Sequence, residues 1–282
     1  MIVVDESQFS GRSSQGLCDF LHFVRKRAEE KKVSLIASIT LRVRHIAPLA
    51  VLQSVYDPLE LHAYLEHPEN DEAMAAAEAV ASCEVTGSSR FADAKEWSNQ
   101  IAANMVATGD LDAAFSGPIF FCQFNFEDNT TVDGFPPGRV FLPRWQVARC
   151  RGEYLAVANE VVSPQASVLE IHERIWSAYQ KFSSFDYSQL TQSKKVKGSH
   201  PRAPSKIEET SYCSLVQRAL AEIENTELQK IVLARAADQI IDASGMPFTH
   251  LDRLRKRYAG CFTFSYGNGC GGSFIGASPE RL

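Results

Sequence analysis

Two apolar runs separated by a two-residue gap constrain this chain more than any other feature. VFLPRWQVAR (140–149) and GEYLAVANEVV (152–162) are rich in β-branched and aromatic residues, with Arg151 and Gly152 near the junction. Such runs read as a strand pair with a turn between them. A third run, PIFFCQFNFED (118–128), places Phe120, Cys122, Phe124 and Phe126 on one parity, which predicts a strand with one buried face. Rings in such a row can also stack nucleotide bases, but no basic residue interleaves these, so they are read as core. GFPPGR (134–139) is a turn by composition.

Helical spacing surrounds these strands. Leu17, Phe20, Leu21, Val24 and Ala28 form an apolar stripe over 16–32 that ends in a charged run. Residues 33–41 read as a strand, and 48–56 as a short element ahead of Pro58. The alanine-rich 73–82 and the stretch 92–108 are expected to be helical, with a strand remnant or loop at 84–87. Ile171, Ile175 and Tyr179 mark a helix over 168–182. Residues 183–206 turn polar and basic, with Pro201 and Pro204, and read as a solvated connector, here taken as the main internal linker. Beyond it, Ser205 and Glu208 have capping-box spacing, and Tyr212, Leu215, Val216, Ala219 and Ile223 recur at helical intervals, an apolar face for a sheet. A further helix is expected over 249–258, with most of Arg253, Arg255, Lys256 and Arg257 solvated. Division at the connector gives an N-terminal α+β part, 1–200, and a second region, 201–282.

The chain has 282 residues, 45% of them hydrophobic, enough for a substantial core. Its formal charge of -5 offers no global attraction to nucleic acid or an anionic membrane. The seven cysteines form no CxxC pair, which argues for a reducing compartment and against a disulfide framework or structural zinc. MIVVDESQFS lacks the basic region and apolar core of a signal peptide. No stretch approaches the roughly 18 apolar residues of a membrane span. A soluble, cytoplasmic protein is expected, with neither a nucleic-acid nor a membrane partner.

Two residues stand out as candidates for chemistry. Lys230 opens the run Ile231, Val232, Leu233, which reads as a buried strand. Burial disfavours the charged ammonium and would make it a base, whereas a lysine at a strand's wet entrance snorkels outward. Glu280 follows Pro279 at the exit of an apparent strand, where it is either a general acid or a surface glutamate. Between them, Gly267, Gly269 and Gly272 have GxGxxG spacing, but SFIGAS follows where a dinucleotide site needs a helix. A glycine-rich hairpin loop explains that spacing better.

QKIVLAR (229–235) and GGSFIGASPERL (271–282) together resemble the paired signature of the chorismate-utilising enzymes, and within them the isochorismate synthases. PIFFCQFNF, GFPPGRVFLPRW and the helix leading into LQKIVLAR occur in the same order there, so the resemblance runs from about Asp112 onward. It implies the family's large α+β fold, two sheets in a sandwich flanked by helices. It implies a Mg2+-dependent conversion of chorismate to isochorismate, with Lys230 activating water for attack at C2 and Glu280 protonating the departing C4 hydroxyl. Anthranilate synthases typically carry glutamine where Lys230 stands, and salicylate synthases keep the lysine and add pyruvate elimination. Gly276 and Ala277 fit a close backbone approach to bound substrate, although the glycine also suits a turn. A monomer is implied at full length, and the tryptophan-bearing middle resembles the quinone branch of the family.

One departure accompanies this. The sequence stops at Leu282, just after the acid, whereas family members continue into a part that carries a GTRPRG-like loop, the Mg2+-holding glutamates and the groups that bind the substrate carboxylates. On this reading the chain is the first half of the fold and the opening of the second, 201–282 being the start of the chorismate-binding region. No metal ligand is assigned within it, and the 282 residues alone are expected to be inactive and marginally stable. A non-catalytic interaction module on the same scaffold is the reading from another class.

Overall fold

The structure is a computed structural model that describes residues 1–4, 13–184, 206–235 and 247–280. Most of the connector predicted over 183–206, and Ser205 of the capping box, lie outside the described residues. The chain divides into two compact units, Met1–Gln192 with Met246–Leu282, and Ser193–Gly245.

The first unit is built on one mixed sheet. Its strands are β1 (Ile2–Val3), β2 (Leu35–Arg42), β3 (Leu61–His67), β4 (Glu72–Val85), β5 (Met105–Gly109), β6 (Phe121–Phe124), β7 (Gly138–Cys150), β8 (Glu153–Val162), β9 (Phe262–Asn268) and β10 (Ser273–Ser278). They run in the order β1-β5-β2-β8-β7-β4-β3-β9-β10, with β6 paired to β7. Helices α1 (Ser14–Lys31), α2 (Pro48–Val55), α3 (Arg90–Ala103), α4 (Val168–Ser184) and α6 (Phe248–Arg257) flank it, while α5 (Lys206–Asn225) belongs to the second unit. The α+β class expected from the sequence is observed, and the described strands form one large sheet of that architecture.

The predicted strand pair forms as β7 and β8, with Cys150 opposite Glu153 across a two-residue turn. Arg151 (φ 49°) and Gly152 (φ 84°) both take positive φ, the geometry of the tight hairpin turn that matches strand twist. Helix α1 buries the five residues of the predicted stripe, Leu17, Phe20, Leu21, Val24 and Ala28, against β2, β8 and α4. Burial of each larger side chain among these contributes roughly 1.5–3 kcal/mol. Ser13 caps the helix by accepting a hydrogen bond from the Gly16 amide at 3.0 Å.

Three expectations are corrected. The alanine-rich 73–82 is no helix but the middle of β4, which pairs with β3 on one side and β7 on the other. Tertiary pairing overrides the alanine's helix preference, because a strand with neighbours on both edges and Ala73 to Ala77 buried rewards small side chains. The helix expected to reach 108 stops at Ala103, and residues 105–109 form β5, parallel to β2, with Met105, Val106 and Ala107 fully buried. The face predicted for 118–128 is also broken. Cys122 is exposed and Phe126 is 96% exposed, while Phe121 stacks on Phe141 at 5.6 Å. The strand ends at Phe124 because the Asn125 side chain donates to the carbonyls of Thr130 and Phe135, which turns the chain.

Among the described residues no helix is long and apolar enough to cross a membrane.

Candidate active site

The end of the sheet formed by β3, β9 and β10 carries three of the four candidate residues. Strand β9 pairs antiparallel with β3 and with β10, so Gly276 lies opposite Phe264, Ala277 opposite Thr263, and Ser278 opposite Phe262. The loop between β9 and β10 is the GxGxxG stretch, and it is a hairpin loop as the sequence predicts. Asn268 closes it: its Oδ1 accepts from the Cys270 and Gly272 amides at 2.8 and 2.9 Å, and its Nδ2 donates to the Asp133 carbonyl at 3.0 Å. Arg139 donates to the Asn268 carbonyl at 2.7 Å and pairs with Glu84 through its other nitrogen.

Gly276 is glycine because of its neighbour. A Cβ there would stand 2.6 Å from Cζ of Phe264, whose ring covers the position. Phe264 and Phe274 lie on that same face with rings 5.5 Å apart, and Phe274 is exposed. Ala277 is on the opposite face, the one shared by Ile275, which packs with Phe248 and Leu251 of α6. After Ser278 the chain leaves the sheet. Glu280 is exposed, and its amide donates to the Ser278 hydroxyl at 3.2 Å. Within the described residues β10 is the last strand of the sheet order, so Gly276, Ala277 and Glu280 stand together at that end.

Behind Ala277 a polar row runs into the sheet. Ala277 is paired with Thr263, Thr263 with Glu66, Glu66 with Ala73, and Ala73 with Arg149. Glu66 is only 3% exposed, yet it is richly partnered. It accepts from the Tyr64 hydroxyl and from Arg149 Nη2 at 2.9 Å, and Arg255 of α6 approaches at 3.5 Å. Arg149 also holds Asp71 at 2.9 Å, and Arg255 also holds Asp252 at 2.8 Å. Burial pushes the Tyr64 phenol well above its ordinary range, and the Glu66 carboxylate adds to that. Asp252 sits below the usual carboxylate range because hydrogen bonds from Lys256 and Arg255, with their charges, outweigh the opposing desolvation. Three of the four cations of this helix, Arg253, Lys256 and Arg257, are exposed, in line with the expectation that most are solvated, and the half-buried Arg255 joins the charge cluster that fastens α6 to the sheet.

Lys230 belongs to the second unit, whereas these three belong to the first. The strand predicted over Ile231, Val232 and Leu233 is not formed. Residues 226–235 have no regular structure, Lys230 is exposed and Val232 is 78% exposed. A strand needs a neighbour to take up its backbone groups, and the second unit has no strand among its described residues. Within that unit, the end of α5 is fixed by Thr226, whose hydroxyl donates to the Glu222 carbonyl at 2.6 Å. Arg235 lies over the Tyr212 ring at 5.3 Å. The apolar face predicted for α5 is only half-covered, with Leu215 exposed.

Strand β3 carries no signature that singles out Glu66, which joins the charge cluster, or His62, which reaches Ser273 of β10. The alternation in LHAYLEH is legible only once its partners are known. Among the described residues, no group of three or more His, Cys, Asp or Glu side chains is placed to hold a metal ion.

The described strands form a ten-stranded sheet with Gly276, Ala277 and Glu280 at one end. The family described as chorismate binding enzyme matches residues 22–282, and the chain belongs to that family. Its relatives include the isochorismate synthase MenF of Haemophilus influenzae, 34% identical over 74 residues that make up 26% of this chain and 17% of the relative. Among solved structures it is similar to MenF, the menaquinone-specific isochorismate synthase from Escherichia coli, with a TM-score of 0.53 and 19% identity. That likeness covers 95% of this chain and 56% of the other, so this chain spans about half the length of the solved protein. At this identity the likeness establishes a common fold.

Proposed function

We propose that this chain belongs to an isochorismate synthase. The observation that carries the reading is the pair of residues at the two signature stretches, a lysine at 230 and a glutamate at 280, inside the span matched by the family. The reaction is balanced by one water in and one water out. Lys230 takes a proton from water as its oxygen bonds to C2 of chorismate, the double bonds shift, and protonated Glu280 donates to the C4 hydroxyl as that C–O bond breaks. Gly276 and Ala277 bring backbone close to the substrate beside the acid. Mg2+ would neutralise and orient a substrate carboxylate. None of the described residues is assigned to hold it, and the region 201–282 is read as the start of the catalytic half. The quinone branch of the family is the pathway proposed, with a cytoplasmic, monomeric enzyme.

The test is chorismate turnover with Mg2+ by the product of the complete open reading frame, resolving isochorismate, salicylate and pyruvate. Isochorismate as the end product, lost in both Lys230→Ala and Glu280→Gln while the far-ultraviolet circular dichroism is unchanged, is the expected result. Salicylate with pyruvate would reassign the protein as a salicylate synthase. Absence of all three products from folded protein would overturn the enzymatic reading in favour of an interaction module on this scaffold.

A further inference from the structure

The strand that presents Gly276, Ala277 and the approach to Glu280 is poorly equipped to hold its own register. Glycine stands at 267, 269, 271, 272 and 276 in this hairpin, and glycine-rich strands specify pairing weakly. A slip of one residue would exchange the faces of Gly276 and Ala277 and would carry Glu280 about 3 Å along the strand direction.

One side chain spans the hairpin and ties it to the body of the sheet. His62 of β3 is 2% exposed, and its Nε2 lies 3.3 Å from the Ser273 hydroxyl of β10, with the whole of β9 between them. The register rows explain how it reaches. His62 pairs with Gly267, and Gly267 pairs with Ser273. The ring lies over Gly267, where an added Cβ would come within 2.1 Å of His62 Cε1 and 2.2 Å of Nδ1. Tyr56 supports the ring edge-on at 5.0 Å. A residue with any side chain at 267 would fill the path that the imidazole takes.

We propose that His62 is a positioning residue for the reaction. By bonding to Ser273 across Gly267, it locks β10 in the one register that presents Gly276, Ala277 and Glu280 together. The part of this concerning catalysis rests on the function proposed above, and the register lock itself does not.

The test compares His62→Phe, which keeps a ring in the same place without a hydrogen bond, with Ser273→Ala, both in the complete protein. Amide hydrogen exchange of β10 is expected to rise about fivefold in each, as for one lost hydrogen bond, with exchange of β4 unchanged. The double variant is expected to exchange no faster than either single one, because both remove the same bond. Chorismate turnover is expected to fall in both variants, with kcat lowered and KM raised together, because the acid and the backbone placed against the substrate loosen as one strand. Unchanged exchange in β10, or a rise shared equally by β4, would overturn the lock. Loosened β10 with undiminished kcat would overturn the positioning role. A protein without chorismate turnover in any form would fail the proposed function, and exchange would still decide the lock.

Discussion

Replacing Glu66 by alanine is a severe test of the cluster that fastens α6 to the sheet. The carboxylate is 3% exposed and is shared by Tyr64, Arg149 and Arg255. Removing one partner of a buried ion pair costs about 3–5 kcal/mol when the other charge is left uncompensated. Here neither arginine is left bare, since Arg149 keeps Asp71 and Arg255 keeps Asp252, each within 3 Å. The Asp71 carboxylate is half exposed, so it compensates weakly. The expected loss for Glu66→Ala is therefore about 2–3 kcal/mol, below the full penalty, and for Glu66→Gln, which keeps an acceptor for Tyr64, about 1–2 kcal/mol. For a unit of this size the alanine variant should lower Tm by about 5–10 °C. Denaturant unfolding followed by circular dichroism measures the free energies, and hydrogen exchange in α6 locates them. A loss under about 0.5 kcal/mol for Glu66→Ala, or a larger loss for glutamine than for alanine, would refute the reasoning.

Gly109→Ala should destabilise by about 3 kcal/mol or more, because φ there is +104° and a Cβ would stand 1.9 Å from the Thr40 carbonyl oxygen; thermal unfolding checks it. Phe126→Ser should change stability by no more than about 0.5 kcal/mol while Phe121→Ala costs about 2 kcal/mol, since one ring is exposed and the other packs on Phe141; equal effects in urea titrations would contradict this assignment. Burial lowers the His62 pKa below its ordinary value, so the folded state binds fewer protons than the unfolded one as pH falls through the imidazole range. Stability should thus decline below the unfolded histidine value, about 6.5, and continue to decline until the lowered folded value is passed. In His62→Phe that part of the pH profile should flatten, because the titrating imidazole is gone while a ring still meets Tyr56.

Much of the scaffold was legible in the sequence. The α1 and α4 stripes show their period because one side of each meets the core and the other meets water, whereas β7 and β8, buried along consecutive residues, were legible as two apolar runs with a turn between them. β4 was misread because both its edges are paired and its middle is alanine, which reports helix propensity and gives no alternation. β5 was absorbed into the preceding helix because it is five residues long and begins two residues after α3 ends. In the candidate site, Gly276, Ala277 and Glu280 were visible through local sequence. His62, which reaches Ser273, and Glu66, in the same register row as Ala277, sit on a strand more than two hundred positions away, where only the sheet register reveals the connection. Lys230 was visible as a signature residue, while the strand expected around it depends on a pairing partner that its own sequence does not specify.

The central claim is that water attacks C2 with help from Lys230 while Glu280 releases the C4 hydroxyl. Turnover of chorismate in H2(18)O by the complete protein, followed by mass spectrometry of the product, tests it most directly. Isochorismate carrying one 18O atom at the C2 hydroxyl, formed by the wild type and not by Lys230→Ala, is the predicted result. Isochorismate that retains only unlabelled oxygen, or labelled product undiminished in Lys230→Ala, would contradict the account.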